Sequence, residues 1–137
     1  MGTEARLRRD DDIEAVRRFF DLYARGLMEP FLAMFHPEAR FAPISGHGRV
    51  FEGPEGVREF LDEARSEGVS IEPYVCRFVA RGDRVVAIGS LRQRHFRELR
   101  DRTGAWVFEI RDGLVYSVEG FVSAADALEA AETPVAH

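Results

Sequence analysis

The four histidines are the first candidates for acid–base chemistry, because only imidazole titrates near neutrality without help from its surroundings. His47 stands between two glycines in a predicted loop, where an imidazole can reach a ligand. An exposed loop histidine without a role is the competing interpretation. His36 and His95 fall at a predicted helix end and in a predicted turn, and His137 ends the chain. His47 is therefore the candidate catalytic histidine.

Tyr23 is the second candidate for moving a proton. It follows Phe19 by one helical turn, so both side chains share one face of a predicted helix. From that face the phenol can point into a cavity. The alternative is a core tyrosine whose hydroxyl is satisfied locally. The sequence leaves both interpretations open.

The stretch 103–122 predicts the clearest strand pair in the chain. Two runs rich in β-branched and aromatic residues flank Arg111-Asp112-Gly113, which indicates a hairpin whose glycine takes a positive φ. The face expected to line the interior carries Gly104, Trp106, Phe108 and Ile110. Trp106 is interpreted as a pocket wall that stacks on a flat ligand, and its indole N–H can donate one hydrogen bond.

Arg92 is the candidate for holding an anion. We expect it on the same interior face as Trp106. The residues expected beside it on that face are Val86, Ile88 and Ser90. A guanidinium in apolar surroundings is costly unless it is paired, and its planar fork suits a carboxylate, phosphate or enolate. The alternative is a strand-end arginine that reaches water or pairs with Glu98 or Asp101.

Other kinds of site are not indicated. Cys76 is the one cysteine, which excludes an intrachain disulfide and a cysteine-based metal site. No spacing of histidines or carboxylates suggests a metal ion, and there is no glycine-rich phosphate loop or nucleophile elbow. We therefore expect neither a metal nor a cofactor.

The charge and hydropathy of the chain limit the kinds of partner that it can bind. Arginines recur between residues 92 and 102, but acidic residues interrupt the run and the net charge of the chain is -5. These features argue against a nucleic acid or an anionic membrane as partner. No apolar run approaches the roughly 20 residues that cross a bilayer, and the first residues lack the apolar core of a secretory signal. We expect a cytoplasmic protein.

The spacing of apolar residues predicts three helices before the sheet. The first covers residues 13–27 behind Asp10, Asp11 and Asp12, which suit an N-cap. A short helix starts at residues 29–30 and is stopped by residues 36–38. A third opens at residues 53–54 and stops at Gly68.

Strands make up most of the remaining chain. Residues 40–44 and 49–52 are predicted as short strands, and residues 70–80 and 84–94 as longer ones joined by a hairpin turn. Ser123 is expected to cap a last helix over residues 124–132. With 137 residues and helices on one face of the sheet, the chain is predicted to be a single α+β domain, 1–137, with its core at about 12–131.

Three segments in this order resemble the nuclear transport factor two-like superfamily, in its SnoaL-like polyketide cyclase and ketosteroid isomerase branch. They are L-M-E-P-F-L-A-M-F-H-P-E-A-R-F (27–41), V-F-E-G-P-E-G-V-R-E-F-L (50–61) and F-E-I-R-D-G-L-V (108–115). The resemblance implies a cystatin-like cone, in which a curved, mostly antiparallel sheet wraps on N-terminal helices around a conical pocket. It also implies a homodimer through the outer sheet face and places His47 near the mouth of the cone.

The resemblance does not carry the isomerase chemistry over. In that branch a carboxylate is the base, and a tyrosine and a protonated acid stabilise the oxyanion. The matching positions hold Ala42 or Pro43, Phe19 and Trp106. None of these side chains can replace its counterpart.

The cyclase and epoxide hydrolase chemistries are also disfavoured. The aspartate that the cyclase and hydrolase branches have on the last strand corresponds to Gly120, with Glu119 on the opposite face. The hydrolase pattern Arg-x-Asp appears as Arg92-Gln93-Arg94. An enzyme with this sequence would therefore not be a standard ketosteroid isomerase or epoxide hydrolase.

Three classes of function remain. The first is a cofactor-free enzyme for proton transfer, dehydration or cyclisation of a hydrophobic or aromatic molecule, either neutral or anionic. In it Arg92 holds the oxyanion and His47 or Tyr23 moves the proton. The second is a binding protein that lost the acid–base residues, and the third is a dimerising interaction domain. The expected ligand-binding residues are Phe19, Phe60, Ile88, Ser90, Arg92, Trp106, Phe108, Val118 and Gly120.

Overall fold

The computed structural model describes residues 3–44 and 48–132. Within them the elements are α1 (Thr3–Ala24), α2 (Met28–Leu32), β1 (Phe35–Ala42), β2 (Phe51–Glu52), α3 (Gly53–Ser66), β3 (Val69–Arg81), β4 (Arg84–His95), β5 (Glu98–Arg111), β6 (Leu114–Phe121) and α4 (Ala124–Glu132). These elements confirm the predicted α+β class.

The six strands form one curved, open sheet in the order β2-β1-β6-β5-β4-β3. All neighbours pair antiparallel except β1 and β6, which are parallel. Register shifts interrupt three of the pairings, including β3 with β4 between Val75 and Arg77. Such bulges bend a strand and increase its local twist. The predicted mostly antiparallel cone is therefore confirmed.

The predicted hairpin of β5 and β6 is confirmed. Arg111 pairs with Leu114, so Asp112 and Gly113 form a two-residue turn with φ of 54° and 77°. Two successive positive φ values match the right-handed twist of the flanking strands and explain the Asp-Gly sequence.

The sheet has an inner face against the first three helices. Apolar residues of α1, including Val16, Phe19 and Leu22, pack there on β4, β5 and β6. Phe108 of β5 is completely buried at the centre of this core. The long helix is thus held by one apolar stripe, as the sequence pattern predicted.

The prediction that all helices cover one face is wrong for α4. Ala127 and Ala131 of α4 pack on Val86, Ala105 and Val107, which point away from the inner face. Small side chains on this helix allow a close approach to the sheet, and both faces of β5 are therefore buried near its middle.

Two helix boundaries also differ from the prediction. α1 begins at Thr3, so Asp10, Asp11 and Asp12 lie inside the helix and not at an N-cap. Residues 4–9 are mostly strong helix formers, which explains the extension. The segment 36–38 belongs to β1, where the His36 Nδ1 accepts a hydrogen bond of 3.0 Å from the Glu38 N–H.

The described residues contain neither a membrane-spanning helix nor a candidate metal site. None of their helices is both long and apolar enough to span a bilayer. Residues 3–44 and 48–132 also contain no group of three or more His, Cys, Asp or Glu side chains placed to hold a metal ion.

Candidate ligand pocket

A cavity of about 70 Å³ lies between the inner face of the sheet and helices α1, α2 and α3. Its walls are Phe19, Phe20, Tyr23, Phe31, Phe41, Pro43, Ile44, Val57, Phe60, Leu61, Ile71, Pro73, Leu91, Trp106 and Val118. Four of the expected ligand-binding residues, Phe19, Phe60, Trp106 and Val118, are among them. Their role in binding stays a prediction.

Aromatic rings form much of the wall and brace one another. The ring centroids of Phe19 and Phe31 are 4.7 Å apart, and those of Phe20 and Trp106 are 5.4 Å apart with the planes at 63°. Phe108 supports this wall from behind, since its ring lies 5.1 Å from that of Phe19. The prediction that Phe108 itself lines the pocket is wrong, because the side chain is completely buried in the core.

The Tyr23 hydroxyl lies at the pocket wall and is already hydrogen-bonded within the protein. The hydroxyl donates a hydrogen bond of 2.7 Å to the Ile71 carbonyl oxygen. Burial, helped by the negative charge of Glu72, raises the pKa of Tyr23 to about 12. A phenol with this pKa stays protonated near neutrality and is poorly matched to proton transfer there. Of the two interpretations left open, the locally satisfied core tyrosine describes this residue.

Trp106 is the second residue on the wall with a polar atom. It is 7% exposed, and no described residue accepts a hydrogen bond from its indole N–H. The far edge of the indole lies over Gly104, where a Cβ atom would meet Trp106 Cη2 at 3.0 Å. Glycine at 104 therefore leaves room for the ring.

The prediction that Arg92 points into the pocket is wrong, and so is the prediction for Ile88 and Ser90. Ala87 pairs with Trp106, so the odd-numbered residues of β4 face inward and Arg92 faces outward. Ile88 packs in the cluster under α4. A two-residue turn joins β4 to β5 and sets this register.

On the outer face Arg92 is paired with an acidic neighbour. Its Nε and Nη2 donate to the Asp101 carboxylate at 2.8 and 3.2 Å, and its guanidinium lies 5.8 Å from the Tyr74 ring centroid. The hydrogen bond from Arg92 also lowers the pKa of Asp101. The alternative in which Arg92 pairs with an acidic neighbour is therefore the observed one.

Sequence reasoning missed the inner-face arginine that adjoins the pocket wall. Arg102 pairs with Leu91 of the pocket wall and lies four residues before Trp106 on β5, hence on the same face. It is half-buried between the exposed Asp101 and Thr103. Counting back by twos from Trp106 through Gly104 would have found it.

Gly120 lies on the inner face but does not line the cavity, contrary to the prediction. A Cβ atom there would come within 2.4 Å of Ile44 Cγ1 and 2.8 Å of the Ile44 nitrogen. Ile44 thus covers the position where the resemblance expects an aspartate. The remaining catalytic candidate, His47, lies outside the described residues.

Solved structures of similar fold were found for this chain, whereas no curated protein matches its sequence. TerC, co-crystallised with polyporic acid, is 22% identical with a TM-score of 0.74, covering 90% of this chain and 99% of TerC. A nuclear transport factor two-like protein from Burkholderia pseudomallei is 17% identical with a TM-score of 0.73 over 87% and 95% of the two chains.

A proposed polyketide cyclase from Xanthomonas campestris pv. campestris is 15% identical with a TM-score of 0.74, covering 90% of this chain and 98% of the cyclase. At these identities the likeness concerns the fold. The family match is independent of them, since the sequence fits the SnoaL-like domain over residues 16–118, most of its length. The chain therefore belongs to the SnoaL-like domain family.

Proposed function

We propose that this chain binds a small, flat, hydrophobic molecule in the aromatic pocket. The observation that carries the proposal is the composition of the wall, whose described side chains are apolar apart from the Tyr23 hydroxyl and the Trp106 N–H. Apolar clefts with a few polar groups are the usual form of small-molecule sites. The co-crystallisation of TerC, a protein of similar fold, with polyporic acid supports this class of ligand.

The size of the cavity limits how such a ligand enters. A volume of about 70 Å³ is well below the range of roughly 300–1,000 Å³ for sites of drug-sized ligands. Several wall residues are only partly buried, among them Ile44, Phe60 and Leu61. We infer that these side chains move outward when the ligand binds, and that the ring system then lies against Trp106 and Phe20.

Catalysis on the bound molecule is the second candidate, favoured by membership of a family whose fold neighbours include a proposed polyketide cyclase. No histidine, carboxylate or thiol is present on the described wall, and Tyr23 has a pKa of about 12. Proton transfer, dehydration or cyclisation would therefore depend on His47, three residues after Ile44. Binding requires no such group and is the better supported proposal.

Titration with polyporic acid tests binding directly. Trp106 is the single tryptophan of the chain and lies on the pocket wall, so its fluorescence reports the site without background. We expect quenching in the wild-type protein and an affinity at least about tenfold lower for Leu61→Phe, since the larger ring fills the cavity.

The matched control is Leu7→Phe, the same exchange at a side chain that is 55% exposed on α1 and remote from the wall. It should bind polyporic acid like the wild type. Wild-type affinity in a correctly folded Leu61→Phe variant, judged by circular dichroism, would contradict the proposed site.

A further inference from the structure

The inner face of the sheet does not end at the apolar wall. Going back along β5 from Trp106, the same face carries Gly104 and then Arg102, in steps of about 7 Å. Gly104 has no side chain, and the space above it is taken by the far edge of the Trp106 indole and the tip of Ile44, both of the pocket wall. Leu91, the partner of Arg102 across the strands, belongs to the pocket wall. The arginine therefore adjoins the pocket at the edge of its sheet wall.

Arg102 is a half-buried cation without a counterion among the described residues. Its Nη2 donates to a neutral acceptor, the Gln93 Oε1, at 3.1 Å. Its Nε is buried and has no hydrogen-bond partner. A buried donor without a partner is destabilising, and no described residue satisfies this one.

Arg92, on the opposite face of the sheet, binds a carboxylate through the same two nitrogen atoms that Arg102 presents. There the Asp101 carboxylate takes both Nε and Nη2, at 2.8 and 3.2 Å. The corresponding edge of Arg102 offers the same two donors, of which Gln93 uses only one. A carboxylate that displaced the Gln93 oxygen would satisfy both, and the turned amide group could donate a further hydrogen bond to it.

We propose that Arg102 and Gln93 form a carboxylate subsite at the edge of the pocket, and that the ligand is an aromatic or hydrophobic acid. Its ring system lies in the apolar pocket and its carboxylate binds Arg102. The subsite rests on the proposed function, because the apolar part of the ligand is placed in that pocket. Gln93 also borders an open depression with Val69, His95, Glu98 and Arg100, which leaves the subsite open to solvent on its outer side.

Isothermal titration calorimetry with 2-naphthoate and its neutral analogue 2-naphthamide tests this proposal. For Arg102→Met we expect the affinity for 2-naphthoate to fall at least about tenfold, as for the loss of a charge-assisted hydrogen bond. The affinity for 2-naphthamide should change by less than about twofold. Arg94→Met is the matched control, since Arg94 is exposed on the outer face, and it should bind both probes like the wild type.

The two probes separate failure of the subsite from failure of the pocket. If the wild type binds 2-naphthamide but Arg102→Met weakens neither probe, or both equally, the carboxylate subsite is wrong and the apolar pocket stands. If the wild type binds neither probe, both proposals fall. Should Arg102→Met not fold, Gln93→Leu replaces it, with a loss of at least about threefold expected for 2-naphthoate alone.

Discussion

Tyr23 couples the pocket wall to the stability of the fold. Its hydroxyl ties α1 to β3 through the hydrogen bond to the Ile71 carbonyl, and burial raises its pKa from 10.0 to about 12. A raised pKa means that the fold favours the protonated phenol. The resulting stabilisation is fully present below pH 10 and is lost as the pH rises through 12.

The composition of the chain makes this effect measurable. All 19 basic residues are arginines, which stay charged throughout this range, so no lysine titrates alongside the tyrosines. We expect the unfolding free energy of the wild type to fall between pH 10 and 12, by at most about 2–3 kcal/mol from this group. Urea denaturation at a series of pH values measures it.

Tyr23→Phe should be less stable than the wild type at neutral pH by about 1 kcal/mol, because the Ile71 carbonyl loses its partner. Its stability should then change less with pH above 10 than that of the wild type. Tyr74→Phe, at a side chain that is 52% exposed, is the control and should keep the wild-type slope. An equally steep slope for Tyr23→Phe would show that another group causes the alkaline loss.

The arginines show how far residue types alone predict a site. A guanidinium beside an apolar pocket was predicted at Arg92, but the arginine that pairs with the pocket wall is Arg102. The chemistry of a side chain follows from its residue type alone. The face of the sheet on which it lies depends on the register of two strands, and a register error of one residue places it on the opposite face. Phe19, Phe60 and Val118 were predicted on the wall because their apolar character and spacing already indicate a buried face.

The segment that follows β1 crosses over β6 and forms part of the pocket wall. Pro43 and Ile44 follow β1 and lie on the wall, and Ile44 rests directly on Gly120. A side chain at 120 would meet the Ile44 backbone nitrogen as well as its side chain. An acid therefore does not fit at this position unless the end of β1 moves away.

Gly120→Ala tests this contact. The added methyl group must displace Ile44, including its backbone, and we expect a loss of about 1–3 kcal/mol of unfolding free energy in urea denaturation. Gly104→Ala is the comparison, since its nearest neighbour at 3.0 Å is the far end of the Trp106 side chain. It should cost less and should change the Trp106 fluorescence. Equal stability of Gly120→Ala and the wild type would exclude the close packing.

Elements differ in how well the sequence predicted them. The β5–β6 hairpin and the bounds of α4 were predicted because Asp-Gly and Ser123 are local signals for a turn and a cap. The face on which α4 packs was not predicted, because it depends on contacts with Ala105 and Val107, far away in sequence. The start of α1 was predicted too late, because Asp10, Asp11 and Asp12 were interpreted as an N-cap although they lie inside the longer helix.

The whole molecule leaves part of its outer face uncovered. α4 packs over the middle of β4 and β5, while the end of the sheet near the β4–β5 turn carries exposed apolar side chains. On the outer face Tyr74 and Leu99 are 52% and 50% exposed. A second copy of the chain on this face would bury both side chains. We therefore retain the proposal that a second copy of the chain covers the outer sheet face as a homodimer.

Leu99→Asp tests the homodimer. Leu99 lies opposite Arg94 on the outer face, so the carboxylate is tolerated in the free monomer but would be buried in a symmetric interface, where charge is costly. We expect the dissociation constant of the dimer to rise at least about tenfold, measured by size-exclusion chromatography with light scattering over a dilution series. Leu7→Asp, on α1 away from the sheet face, should keep the wild-type mass. A monomeric wild type, or a Leu99→Asp variant that dimerises as strongly as the wild type, would exclude this face as the interface.

The wall of the pocket belongs to the opposite face of the sheet. Polyporic acid should therefore still quench the Trp106 fluorescence of the monomeric Leu99→Asp variant, which separates assembly from binding.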